Sequence, residues 1–125
     1  MPDFDDRIYG GQIARSQKDM DFLFEMVTRR FAGRREVKIH RMTSAEAARR
    51  LPDRHFDWVY IDGDHSKEAV YRDLSLYLPK VKQGGQIAGD DYAKPEVMAG
   101  VKRFVAEHNA KAHEVGGGQF LLRIA

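Results

Sequence analysis

Cysteine is absent from this chain of 125 residues. That excludes a disulfide framework and a thiolate nucleophile, and it leaves any bound metal to oxygen or imidazole ligands. No apolar run approaches the ~20 residues that a membrane span requires. The first residues, Met1 to Tyr9, are acidic and polar, unlike the basic and apolar opening of a secretion signal. Nor does one sign of charge prevail: 21 Lys and Arg face 19 Asp and Glu, so neither a basic nucleic-acid tail nor an acidic disordered segment dominates. Repeats, low-complexity tracts and linkers are missing as well. With 42% hydrophobic residues the chain can build a core. The expectation is one cytoplasmic domain over residues 1–125, with no membrane and no nucleic-acid partner.

What is present is acid, gathered in two places. Tyr60-Ile61-Asp62-Gly63-Asp64-His65-Ser66 and Gly89-Asp90-Asp91-Tyr92 each close an apolar run. Phe56 to Ile61 is rich in aromatic and β-branched residues, and Gly85 to Ala88 is short and apolar, so both suit buried strands. Between them Val70, Leu74, Tyr77, Leu78 and Val81 recur at the spacing of a helix packed on a sheet. Ser66 suits its N-cap, Pro79 ends its regular part, and Gly84-Gly85 stops the segment. A strand, helix and strand of this length make a right-handed parallel crossover, with adjacent strands about 4.8 Å apart. Ligands of open α/β sheets bind beyond the carboxyl ends of the strands. Asp62, Asp64, Asp90 and Asp91 therefore share one edge, where their mutual repulsion calls for a positive charge.

The alternation continues on either side. Met20, Leu23, Phe24, Val27 and Phe31 stripe a first helix, with Ser16 and Asp19 resembling a capping box and Gly33 ending it. A strand at Glu36 to Met42 and a short helix opened by Thr43, with Glu46 three residues on, come next. After the second acidic cluster, Pro95 fits a first helical position, and Val97, Val101, Phe104, Val105 and His108 mark a packed helix. Ala112 to Val115, the Gly116-Gly117-Gly118 turn and Phe120 to Ile124 read as a closing hairpin. His40, His55, His108 and His113 show no ligand spacing and read as structural. Arg29-Arg30 and Arg34-Arg35 flank a helix C-terminus, where positive charge is favourable.

Asp62-Gly63-Asp64-His65, the helix after it, Leu78-Pro79-Lys80-Val81-Lys82-Gln83-Gly84-Gly85 and Gly89-Asp90-Asp91-Tyr92 together resemble the C-terminal half of class I S-adenosylmethionine-dependent methyltransferases. The likeness is to the small-molecule O-methyltransferases that include macrolide-sugar and aminocoumarin-sugar enzymes, and it covers about Ser16 to Ala125. It implies a partial Rossmann-like sheet, mostly parallel with a C-terminal antiparallel hairpin, and helices on both faces. It also implies that Asp62, Asp90 and Asp91 bind Mg²⁺ or a similar divalent cation. His65 would act as general base on a small-molecule hydroxyl, with Asp64 orienting or replacing it. Asp62 and Ser44 would contact the S-adenosylmethionine cofactor, Ser44 beside the adenine.

One part of the family pattern is not found. Its sheet has a strand leading into a glycine-rich cofactor loop, then a helix and a strand whose terminal acid binds the ribose. Gly10-Gly11 and the acids Asp3, Asp5 and Asp6 follow no apolar strand. The two missing strands would lie between the Glu36 to Met42 strand and the Phe56 to Ile61 strand. The chain then reads as a fragment, as a fold whose flanking strands pair directly, or as one completed by another chain. Bare strand edges lead to the expectation of a homodimer or strand-exchanged oligomer. Two alternatives stand beside the methyltransferase. One is a non-catalytic assembly module of the same fold. The other is a phosphohydrolase, because Val59 to Ser66 also resembles the Asp-x-Asp loop of haloacid-dehalogenase-type enzymes.

Overall fold

A computed structural model describes residues 16–108 and 110–124. Gly10-Gly11 and the acids Asp3, Asp5 and Asp6 lie outside the described residues. The chain divides into two compact units, Met1–Met42 and Thr43–Ala125.

In the first unit, helix α1 (Gln17–Phe31) begins where the Ser16 side chain accepts a hydrogen bond from the Asp19 amide. Arg41 pairs with Asp21 and lies over the Phe24 ring, 5.0 Å from its centroid. This hydrogen bond is the main cause that lowers the Asp21 pKa. The strand expected at Glu36 to Met42 is not formed: residues 37–41 carry no regular structure. A strand exists only through its ladder, and none of the three described pairings involves this segment.

The second unit carries the sheet. Its elements are α2 (Ser44–Arg50), β1 (Phe56–Ile61), α3 (Lys67–Tyr77), a 3₁₀ turn (Leu78–Lys80), β2 (Val81–Gly89), α4 (Pro95–His108), β3 (Ala112–Val115) and β4 (Gln119–Arg123). The strand order is β1-β2-β4-β3. β1 and β2 run parallel, whereas β2 with β4 and β3 with β4 run antiparallel. The parallel share is thus smaller than the sequence suggested, because the segment before Thr43 adds no strand. Among the described residues the sheet is mixed, with one parallel pair and two antiparallel ones, where a mostly parallel sheet was expected.

Burial follows the two periodicities. Val70 and Leu74 of α3 and Val97, Val101 and Phe104 of α4 meet Ile87, Phe120 and Leu122 of the sheet in one core cluster, with Val59 and Ile61 packed against it. Alternate residues of β1 point the other way, and Trp58 is 63% exposed. Pro79 ends the α-helix as expected, in the 3₁₀ turn.

The glycine pair plays a different part from the one expected. β2 starts at Val81, before Gly84-Gly85, and the register slips between Phe56↔Val81 and Trp58↔Gln86. Gly84 adopts φ +81°, and a Cβ on Gly85 would lie 2.6 Å from the Asp57 carbonyl oxygen. The pair forms a bulge inside the strand, with the backbones too close for a side chain.

Candidate functional site

Parallel register brings the acidic tips together. Ile61 pairs with Gly89 at the carboxyl ends of β1 and β2, so each acidic cluster leaves the sheet beside the other. Gly89 has no room for a side chain: a Cβ would collide with the Phe120 ring and lie 2.8 Å from the Ile61 carbonyl oxygen. The close approach of the two strand ends depends on that glycine.

Each loop is then fastened. Asp64 Oδ1 accepts from the Ser66 amide at 3.0 Å, and Ser66 Oγ accepts from the Ala69 amide at 3.2 Å. An Asx-turn thus runs directly into the N-cap of α3. Across from it, Asp91 adopts φ +58°, a left-handed conformation that Asp tolerates better than most residues. The Tyr92 amide donates to the Gly118 carbonyl at 2.8 Å, which ties the second loop to the hairpin turn.

The result is a compact donor group. One ligand atom each from Asp62, His65 and Asp91 lies within 4.8 Å of the others. His65 Nε2 is 2.8 Å from Asp91 Oδ2, and Lys94 Nζ is 3.1 Å from His65 Nδ1 and 3.8 Å from Asp91 Oδ2. Two carboxylate oxygens and an imidazole nitrogen suit Mg²⁺ or Mn²⁺. Their spacing falls within small side-chain adjustments of the ~3–4 Å between ligand atoms around an ion with bonds near 2.1 Å. The residues present therefore fit such a cation.

Not every expected residue joins this group. Asp90 is not among its three donors, and His65 stands there instead. Asp90 is nonetheless close enough to act on a neighbour. The Tyr60 hydroxyl, which accepts a hydrogen bond from Gln119 Nε2 at 3.1 Å, has its pKa raised first by burial and then by the charges of Asp90, Asp62 and Asp91. Asp64 is engaged by the Ser66 amide. Ser44 opens α2, and its carbonyl accepts from the Tyr77 hydroxyl at 2.8 Å.

Ser44 and Asp62 meet in a cleft of about 260 Å³, walled by Val59, Ile61, Tyr77 and Asp73. Asp73 was not anticipated from the sequence as a site residue. It is 5% exposed, and its Oδ1 has no hydrogen-bond partner, with Arg72 Nε 4.0 Å away. Burial raises its pKa, against the opposing Arg72 charge and a Ser44 hydrogen bond, with Asp64 repulsion adding to the rise. Three residues missed at first, Tyr60, Asp73 and Lys94, thus line or neighbour the acidic edge. Asp73 left a trace: it interrupts the apolar stripe between Val70 and Tyr77.

A family model described as a methyltransferase domain matches residues 6–92. A stretch of 58 residues, 43% of this chain, is 41% identical to an uncharacterized protein of Acanthamoeba polyphaga mimivirus, covering 26% of that protein. A crystal structure of a protein from Corynebacterium glutamicum superposes with a TM-score of 0.63 at 13% identity, over 87% of this chain and 57% of that one. The chain thus spans only part of the proteins it resembles.

Proposed function

Since the chain belongs to the methyltransferase-domain family, with the fold of class I S-adenosylmethionine-dependent enzymes, we propose that it carries the acceptor side of an O-methyl transfer. In this reading S-adenosylmethionine donates the methyl group to a hydroxyl of a small molecule, with a divalent cation at Asp62, His65 and Asp91 and with Asp90 beside them. The observation that carries it is the convergence of those three donor atoms at the carboxyl edge of β1 and β2. Family membership favours this chemistry over the phosphohydrolase alternative.

Each residue has a task in that scheme. When bound, a divalent cation makes the acceptor hydroxyl more acidic and fixes its direction. The chain itself holds the acceptor against the edge and takes its proton. With His65 given to the cation through Nε2 and keeping its proton on Nδ1, the ring has no nitrogen left to accept, so the acceptor's proton passes to Asp90, the carboxylate of this edge that is not among the three donors. Asp64 fixes the turn that aims the His65 loop. Tyr60, kept protonated, offers a hydroxyl to the acceptor.

The cleft beside Asp62 suits the cofactor's ring end. It has an apolar wall and one buried acceptor, Asp73 Oδ1, that lacks a donor. The proposal extends to a cytoplasmic homodimer, since β1 pairs on one side only among the described residues.

Calorimetric titration with S-adenosylmethionine and its demethylated product, with and without Mg²⁺, tests the reading. Heat that depends on Mg²⁺ supports it. No heat under any condition, together with higher thermal stability of Asp62→Ala, Asp90→Ala and Asp91→Ala, favours the non-catalytic module instead.

A further inference from the structure

Lys94 stands where a helix start disfavours it. Its carbonyl accepts from the Met98 amide at 3.0 Å, the first bond of α4, so it holds the N-cap position. Ser, Thr, Asp and Asn are favoured there because their side chains accept from free amides. An ammonium accepts nothing, and the positive end of the helix repels it. The side chain is 53% exposed and free to extend into water. Instead it turns back over the acidic edge.

Its contacts dictate a proton position. The ammonium carries only donors, so His65 Nδ1, 3.1 Å away, is the acceptor nitrogen of a neutral ring. The ring proton then sits on Nε2 and is donated to Asp91 Oδ2 at 2.8 Å. Lys94 closes the triangle, 3.8 Å from the same carboxylate oxygen.

We propose that Lys94 is the resident counter-cation of this site, holding His65 as its Nε2–H tautomer and yielding when a divalent ion arrives. Ligation by Nε2 requires that nitrogen to give up its proton. A ring carrying its proton on Nδ1 would lose the Lys94 contact, and a cation held by the same carboxylate would repel the ammonium. Lys94 is therefore a positioning residue that sets both the tautomer of His65 and the cation affinity. The inference rests on the metal reading above.

The test uses the full chain, with Lys94→Met to remove the charge while keeping most of the stem, and Lys94→Arg to keep the charge. Mn²⁺ affinity is measured by titration, and the His65 ring nitrogens are observed by ¹⁵N NMR in the metal-free protein. Lys94→Met is expected to bind Mn²⁺ about tenfold more tightly at low salt, with the difference shrinking as salt is added. Its His65 is expected to become a tautomer mixture, while Lys94→Arg stays near wild type in both measurements. Unchanged or weaker Mn²⁺ binding by Lys94→Met, or a ring still wholly Nε2–H, overturns the proposal. Absence of Mn²⁺ binding by every variant, with the tautomer shift present, overturns the metal reading and the displacement while confirming the hold of Lys94 on His65.

Discussion

Replacing Asp73 by Asn should stabilise the second unit at neutral pH. The side chain is 7% exposed, its Oδ1 accepts no hydrogen bond, and the paired cation, Arg72, lies 4.0 Å away on a side chain that is 62% exposed. An unsatisfied buried polar group costs about 1–3 kcal/mol, more when charged. Asn has the same shape, carries no charge and can keep the contact with Ser44. A gain of about 1–2 kcal/mol is expected, or roughly 3–8 °C in Tm for a domain of this size.

The pH dependence of that gain isolates the charge. Burial raises the folded-state pKa of Asp73 above its ordinary value of 3.8. Below that ordinary value the acid is neutral in both folded and unfolded chains, so wild type and Asp73→Asn should differ little. As pH rises from there through the raised folded value, the unfolded chain loses its proton first and the wild type loses stability, until the full cost is reached. Thermal unfolding followed by circular dichroism from acid to neutral pH should show the gap opening over that window. Asp73→Asn that is less stable at neutral pH, or a gap that ignores pH, would refute the reasoning. If the cleft also holds a ligand N–H group against Asp73, the same variant binds that ligand more weakly, the opposed signs expected of a group kept for function.

Other outcomes follow from the same geometry. Asp62→Asn and Asp91→Asn should each weaken Mn²⁺ binding by at least about tenfold, read by titration, because each removes a charged donor from the three-atom group; wild-type affinity in either would dissolve the site. Gly89→Ala should cost about 1–3 kcal/mol or more in urea unfolding, since the new methyl meets the Phe120 ring and the Ile61 carbonyl together, and an unperturbed midpoint would contradict that packing. Light scattering should give the mass of two chains, with Trp58, 63% exposed, shielded from a quencher at high concentration, whereas a monomer at all concentrations would oppose the dimer.

Much of the second unit was legible in the sequence, because its signals are local. Ser66 and Thr43 cap the helices they were expected to open, accepting from the Ala69 and Glu46 amides. The stripe of Val97, Val101 and Phe104 is buried as spaced, and the glycine turn closes the hairpin. What failed depended on partners outside the segment itself. Residues 36–42 have strand composition and no described ladder. Gly84-Gly85 reads as a stop until β1 is seen pressing against it, which makes it a bulge. The candidate site divides in the same way. That Asp62 and Asp91 share an edge was readable because strand ends and crossovers obey general rules, whereas His65 was read there as a base and not as a donor beside them. Lys94 was not readable, because its reach across to His65 depends on the left-handed turn at Asp91, which composition does not reveal.

The acidic edge also explains how such a group survives folding without an ion. Parallel register forces Asp62 and Asp91 close together whatever their charges, so the repulsion is a consequence of topology and not of any local preference. A remedy must come from residues that the same topology brings near. His65 supplies one donor from the loop that also carries Asp62, and Lys94 supplies a charge from the loop that carries Asp91. Each loop therefore contributes an acid and a group that answers the other loop's position. A site whose repulsion is partly offset in this way can form before any cation arrives and can exchange its ammonium for one afterwards. The backbone demands at Gly89 and Asp91 are then spent on holding two strand ends at one fixed separation, which is the condition for gripping a single ion.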